Sequence, residues 1–416
     1  MTTNAKVLPW RTDTMFMMKR RNLIFVIVIA VLAGALASGG AIFFVGYSSG
    51  GYMPITKEEY NNYRLMKQKY GELAELEQYI QKRYYVPVDE EKLKEGMYKG
   101  LFWGIGDPYS SYLTEEEYNE IMISTTGEYQ GIGVTIAPDD KGLINVVAPI
   151  DGSPADQAGI KSGDKIIGVG EELYDSSSID QAVAAMRGKP GTKVDIVVLR
   201  AGKELSFKIT RANIVMKTVR SEVLEGNIGY IRISSFEEKT ADEFKQHLRD
   251  LEVKGVKGFV LDLRDNGGGL VDVSVDVADM LLNEGIVTYT EDREGNKSYY
   301  KSNAGATSLP YVVLVNGGTA SASEIVTAAI KDHNGGKIVG TTTYGKGIIQ
   351  SIEKLSSGDA VKLTIMQYFS PDGNVIHKVG ITPDVVVEAL ASDTPDEGSD
   401  ETKVDRQLDA AVALLK

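Results

Sequence analysis

Residues 23–45 are almost continuously apolar, and no charged side chain occurs between Asn22 and Thr56. As a helix rising about 1.5 Å per residue, this run is roughly 34 Å long, enough to cross a bilayer. Beyond it Tyr63, Met66, Tyr70, Leu73, Ile80 and Tyr84 recur at three- to four-residue steps, which predicts an amphipathic helix over 57–84. A second helix is expected from Asp89, then the turn-rich "GDPYSSYLT", then a short helix capped by Thr114 with Glu117 completing a capping box. From 127 to 213 the pattern shortens to strands, with one clear helix in "SIDQAVAAMRG". From 228 to about 387 it alternates. "NIGYIRI" precedes a helix over 241–251, "GFVLDL" one over 270–282, and "YVVLV" one over 321–330, the signature of an α/β layer domain with a mostly buried sheet. Residues 391–403 are acidic and poor in apolar side chains, hence expected to be disordered, and "VDRQLDAAVALLK" is suited to return as a docking helix.

Charge gives the apolar run a direction. Lys19, Arg20 and Arg21 stand immediately before it, with Lys6 and Arg11 upstream, so the N-terminus is expected inside and everything after residue 46 outside the cytoplasm. A cleavable signal peptide is the rival, because "ALA" at 35–37 has the form of a cleavage site. The run resumes beyond it as "AIFFVG", which favours an uncleaved single-pass anchor in the cell membrane. The expected layout is a basic cytoplasmic tail (1–22), an anchor (23–46), a helical spacer and cap without chemistry of its own (47–126), a β-rich domain (127–213), an α/β core (214–390), and an acidic linker with a terminal helix (391–416).

Composition removes several function classes. At 416 residues, two or three domains are expected. A net charge of −13 without a basic stripe argues against nucleic acid as a partner. Cysteine is absent, which excludes disulfides, thiol nucleophiles and cysteine metal sites. Only His247, His333 and His377 are available for histidine chemistry, and no HExxH occurs. Asp262, Asp265, Asp272 and Asp276 raise a cation site, but their spacing on a strand end and helix face suits solvated carboxylates better. No metal or other cofactor is expected.

Within the β-rich region lies "GSPADQAGIKSGDKIIGVG", residues 152–170. It reads as a short helix ended by Gly159, a tight turn at Ser162 and Gly163, and a strand over 165–169. This stretch resembles a PDZ domain. "YQGIGV" then resembles the loop whose amides hold a peptide's terminal carboxylate in such domains, implicating Gly131, Ile132 and Gly133. Alone, "GIG" would be only a strand-entry turn. The resemblance implies recognition of protein C-termini by strand addition.

"VGTTTYGKGIIQ" contains GxxxxGK, with the lysine at Lys346. A nucleotide-binding P-loop needs Ser or Thr next and then a helix; here Gly347 and a β-branched run follow, so that reading fails, and the plainest reading is a strand-edge lysine in a Gly-rich turn. A lysine can instead serve as a proton acceptor if burial lowers its pKa toward 7 or 8, at a differential cost of roughly 4 kcal/mol to its charged form. Lys346 and Gln350 would share one face of a strand, which lets Gln350 orient the amine. Ser321 in "NGGTASASEIVTAAI" lies three residues before Glu324, so it is either the N-cap of a capping box or a serine exposed at a strand-to-helix turn.

"TASASEI", "TYGKGIIQ", "LDLRDNGGG" and "GITPDV" together resemble the carboxyl-terminal processing peptidases, or tail-specific proteases, over about 89–390 in the order helical cap, PDZ domain, catalytic core. The chain has "GGTAS" where many members have a more serine-rich lead-in. The resemblance implies a layered α/β peptidase core with a mixed sheet and an inserted PDZ domain. It assigns Ser321 as nucleophile, Lys346 as base and Gln350 as its orienting residue. It places the oxyanion hole at the amide of Ala322 and a glycine of "NGGG", Gly267 or Gly268. The implied activity is endoproteolysis near substrate C-termini, with the PDZ domain binding the tail and gating the site. An activator protein and a homo-oligomer built through the terminal helices remain open. The alternative is an inactive membrane-anchored PDZ scaffold; a nucleotide hydrolase is remote.

Overall fold

The computed structural model describes residues 24, 25, 27–34, 55–389 and 405–416. The expected anchor lies mostly outside the described residues, as does the acidic linker; residues 24, 25 and 27–34 are helical. No helix among the described residues is long and apolar enough to cross a membrane. The chain divides into two compact units after Leu93. In the first, helix α1 (Lys57–Arg83) starts at Thr56, whose hydroxyl accepts the Glu59 amide while Glu59 bonds back to the Thr56 amide. Its apolar positions Tyr63, Met66, Tyr70 and Leu73 are exposed.

Helix α2 (Glu90–Trp103) begins just before that division and continues into the second unit, where β1 (Ser111–Leu113) and α3 (Glu115–Thr126) follow; α3 carries the expected capping box of Thr114 and Glu117 and ends in left-handed Gly127. β2 (Glu128–Gly131) and β9 (Ala212–Val215) pair antiparallel, joining the ends of a β-rich insertion to the rest of the unit. That insertion holds β3 (Val134–Pro138), β4 (Ile144–Pro149), β5 (Lys165–Val169), β6 (Glu172–Leu173), β7 (Lys193–Arg200) and β8 (Lys203–Thr210), with β3 at one sheet edge. Helix α4 (Pro154–Ala158) is capped by Ser153 and stopped by Gly159 at φ 88°. With α5 (Ile179–Met186) it covers a core of Ile144, Val146, Ile166, Ile196 and Val198.

The core sheet has the order β10 (Val219–Leu224), β11 (Ile228–Ile233), β12 (Phe259–Asp262), β15 (Tyr311–Val315), β16 (Lys337–Gly340), β19 (Val385–Val386). From β11 onward the pairs are parallel; only edge strand β10 runs antiparallel. Alternate residues therefore face opposite layers. Ile231, Leu261 and Val313 pack with α6 (Thr240–Val253), α7 (Val271–Leu281) and α8 (Ala322–Asp332). Tyr230, Val260, Val312 and Leu314 face α9 (Arg406–Ala413), which docks through Leu408 and Ala411, with Leu415 just beyond its end packed on the same cluster. A five-stranded antiparallel sheet stands apart: β1, β13 (Gly285–Asp292), β14 (Lys297–Ser302), β17 (Ile348–Lys354) and β18 (Ala360–Phe369).

One of the expected solvated carboxylates is not solvated. Asp262 is fully buried, because a strand running between two helical layers has no wet face at its end. It accepts from Tyr230 Oη at 2.7 Å and from Arg264, whose guanidinium also bonds both oxygens of Asp405 at the start of α9. Arg264→Ala would leave the buried carboxylate to the more distant Arg232 guanidinium, 3.5 Å away, and cut the tie to α9. The expected loss is about 3 kcal/mol, with faster hydrogen exchange confined first to 406–413. Denaturant melts and exchange mass spectrometry measure both.

Candidate active site

Strand β15 ends in the turn "NGGTAS", and Ser321 takes φ 55° and ψ −120° before α8 begins. A non-glycine residue held there costs of order 1–3 kcal/mol, so the surrounding contacts must impose it. They are on hand. The Ser321 amide donates to Glu324 Oε2 at 2.9 Å, and the Glu324 amide donates to the Ser321 carbonyl at 2.8 Å. Ala320 N–H donates to the Asn266 carbonyl at 3.0 Å. Because the Ser321 carbonyl already serves that helix amide, the hydroxyl is left for the cleft that Ser321 lines.

The cleft, about 580 Å³, brings together Ser321, Lys346, Gln350, Gly267 and Gly268, with Leu270, Ile348 and Ile349 among its apolar lining. Ala322 is fully buried behind them. Gly268 sits at φ 101°, and a Cβ there would come within 2.7 Å of Ala320 O and Ser321 Cβ and 2.8 Å of Ala322 N. Only glycine lets "NGGG" lie this close to the serine turn. The Gly268 amide is already committed, donating to Asn266 Oδ1 at 2.9 Å. Buried Asn266 also donates to the Ile233 carbonyl, so its side chain braces the loop from beneath.

Lys346 does not lie on a strand, contrary to the expectation from its sequence. Gly345 at φ 85° accepts from Lys378 N–H at 2.7 Å, and a Cβ on Gly347 would meet His377 N at 2.4 Å. These contacts fold the lysine into a loop against 376–380, and β17 begins only at Ile348, with a register shift between Ile349 and Gln350. Strand alternation is therefore not what gives Lys346 and Gln350 a common cleft. Gln350 Nε2 donates to Thr364 Oγ1 at 3.2 Å, and the Lys346 amine lies over the Tyr109 ring, 5.0 Å from its centroid. Burial first, then the charge of Lys362, pushes the Lys346 amine below the ordinary lysine value, with Asp107 pulling the other way.

"GDPYSSYLT" is thus more than a cap. Tyr109 meets the lysine, and Ser110 Oγ accepts the Thr364 amide at 3.0 Å. The three histidines hold structural positions. His247 bonds Ser221 at 2.7 Å, and His333 caps the C-terminus of α8 and bonds the Ile286 carbonyl. His377 packs beside Gly347 with its Nδ1 buried and unbonded; burial and then Lys378 lower its pKa.

At the second expected site, Gly131, Ile132 and Gly133 line a small pocket with Tyr129, Val183 and Met186, between edge strand β3 and helix α5. Gly133 at φ 78° is packed so closely that a Cβ would lie 2.4 Å from Ser153 Cβ. Arg187 stands at this pocket over the Tyr129 ring, a cation that the motif reading did not single out.

The comparisons with known proteins follow the same order along the chain. Residues 227–387 match peptidase family S41, residues 146–200 a PDZ domain, and residues 41–117 the activating protease CtpB N-terminal domain. The chain is 37% identical, over 89% of its length, to the carboxy-terminal processing protease CtpA of Bacillus subtilis, and covers 78% of that relative. The chain belongs to the carboxy-terminal processing proteases of family S41. The carboxyl-terminal-processing protease of Synechocystis is 39% identical, with 68% of each chain covered. Among solved structures, the photosystem II D1 C-terminal processing protease is 28% identical with a TM-score of 0.46, covering 80% of this chain and 94% of that one. As a processing protease of this family, the chain has a mixed α/β peptidase core and a PDZ domain, and serine is its family's nucleophile type.

Proposed function

We propose that this protease is a serine endopeptidase that cuts protein substrates near their C-termini, with Ser321 as nucleophile and Lys346 as base. The observation that carries the reading is Ser321, held at positive φ on a strand-to-helix turn, in one cleft with a lysine whose burial favours its neutral form. When a peptide fills the cleft, the lysine amine leaves the Tyr109 ring for the serine hydroxyl and accepts its proton. The Ser321 oxygen bonds the scissile carbonyl carbon, and the carbonyl oxygen gains the negative charge. With the Gly268 amide engaged by Asn266, the Gly267 and Ala322 amides are the donors for that oxyanion. The protonated lysine then gives its proton to the leaving amine, and the acyl-enzyme is hydrolysed by a water activated by the same lysine. Gln350 orients the amine once it has moved.

The PDZ domain captures the tail. An extended peptide added to edge strand β3 would lie in the pocket beside α5, its carboxylate at the amides of Ile132 and Gly133 and within the field of Arg187. The apolar run at 23–46, preceded by basic residues, anchors the chain and places the protease outside the cytoplasm. Protease added outside intact cells should then degrade the catalytic domain. Exposed apolar residues of α1 suit contact with a second copy.

The test is an unfolded reporter bearing an apolar tail that ends in either a free carboxylate or an amide. Cleavage of the free-acid form should be faster by about tenfold, the worth of roughly 1.4 kcal/mol of charge-assisted bonding. Equal cleavage of both would remove the tail from recognition, and tight tail binding without any cleavage would favour a scaffold.

A further inference from the structure

Two fully buried polar side chains, Glu324 and Tyr368, meet between the serine turn and the lysine loop. Glu324 Oε2 accepts the amide of Ser321 at 2.9 Å and that of Lys346 at 2.8 Å. Its other oxygen accepts the Thr343 hydroxyl at 2.5 Å and the Gly345 amide at 2.7 Å. The Tyr368 hydroxyl lies 3.0 Å from the Ser321 carbonyl oxygen and 2.6 Å from that of Lys346, sharing its proton between them. The N–H and the C=O of both residues therefore end on the same pair of side chains, one from α8 and the other from β18 of the second sheet.

A helix cap does not require this. Capping would use one carboxylate oxygen and a single amide; the rest of the Glu324 contacts go to the lysine loop. Burying a carboxylate is unfavourable, and its four hydrogen bonds offset that cost. The tyrosine remains a donor throughout the working range, because burial and the Glu324 charge hold its pKa well above the ordinary value. Thr343 extends the junction by accepting the Ile381 amide at 2.8 Å.

We infer that Glu324 and Tyr368 are positioning residues that clamp the main chain of Ser321 to that of Lys346 and so set the separation of nucleophile and base. This rests on the dyad reading above. A glutamine at 324 would offer one acceptor oxygen where two are used and turn an N–H donor on amides. Phenylalanine at 368 would leave two carbonyls without their shared proton. Displacements near 1 Å at reacting atoms cost about 100-fold.

Glu324→Gln, Tyr368→Phe, the double variant, Thr343→Val and Ser321→Ala, each made in the full chain, test the clamp on the apolar-tailed reporter. Glu324→Gln and Tyr368→Phe should each lower kcat by about 10- to 100-fold with KM within about twofold, and slow labelling of Ser321 by a fluorophosphonate in parallel. The double variant should fall short of the product of the single losses, because both act on one junction. Thr343→Val, which removes one donor to Glu324 and the acceptor of the Ile381 amide but leaves the Glu324 bonds to the Ser321 and Lys346 amides, should show a smaller loss of the same kind and carries the test with Tyr368→Phe if Glu324→Gln does not fold. Unchanged kcat in these variants, with turnover abolished in Ser321→Ala, overturns the clamp alone. A kcat loss matched by loss of tail affinity also overturns it, in favour of a general structural role. Turnover that survives Ser321→Ala overturns the dyad and the clamp together.

Discussion

Ser321→Ala is expected to lower turnover of the apolar-tailed reporter by at least about 10⁴-fold while leaving the fold and tail affinity in place. The reason lies in the turn. Positive φ is imposed by the Glu324 and Asn266 hydrogen bonds to the main chain, none of which involves the hydroxyl. Alanine keeps those bonds, so the melting temperature should move little. The amides proposed as oxyanion donors and the PDZ pocket are also expected to stay intact, and any residual rate reports what binding and backbone amides contribute without a nucleophile. Steady-state assays beside a thermal melt and a tail titration separate these quantities.

Lys346→Ala should cost a similar factor, and Lys346→Arg should not rescue it at any accessible pH, because a guanidinium does not deprotonate in proteins. For the intact enzyme, kcat/KM should rise with pH through the lysine pKa, which burial places below 10.5. Stability carries the same signature. The folded chain holds this proton less tightly than the unfolded chain, so between the two pKa values the unfolded chain binds more protons and stability rises with pH. Below the folded pKa the penalty for the buried charge is present in full. Lys346→Met should therefore raise the melting temperature at neutral pH, with the gain fading as pH climbs toward 10.5. A variant both inactive and more stable is hard to explain by misfolding.

Much of this geometry was legible in the chain, because local signals carried it. The apolar strands at 228–233, 259–262 and 311–315 and the helices after them follow from periodicity, and the Thr114 cap from its capping box. The returning C-terminal helix also follows, since Leu408 and Ala411 recur at helical spacing. What sequence did not disclose depends on contacts between distant segments. In "YGKGIIQ" the lysine reads as part of the strand that follows Gly345, yet Gly347 is packed on His377 and the lysine is drawn into a loop. Glu324 reads as a cap because its partner in sequence is three residues away, whereas its other partners lie at 343–346. Asp262 reads as a strand-end carboxylate until Arg264, itself held by the distant Asp405, pairs with its buried charge. Tyr109 gives no sign beyond an aromatic in a turn; only the pairing of β1 with β18 brings it to the lysine.

The proposed attack of Ser321 on the substrate, with Lys346 as its base, passes through an acyl-enzyme. It is tested most directly by acid-quenching the enzyme during turnover of the apolar-tailed reporter and locating the acyl group by mass spectrometry. One acyl adduct is expected on the peptide containing Ser321, absent from Ser321→Ala and from Lys346→Ala. An adduct on another residue, or turnover with no covalent species and undiminished in Lys346→Ala, would contradict it.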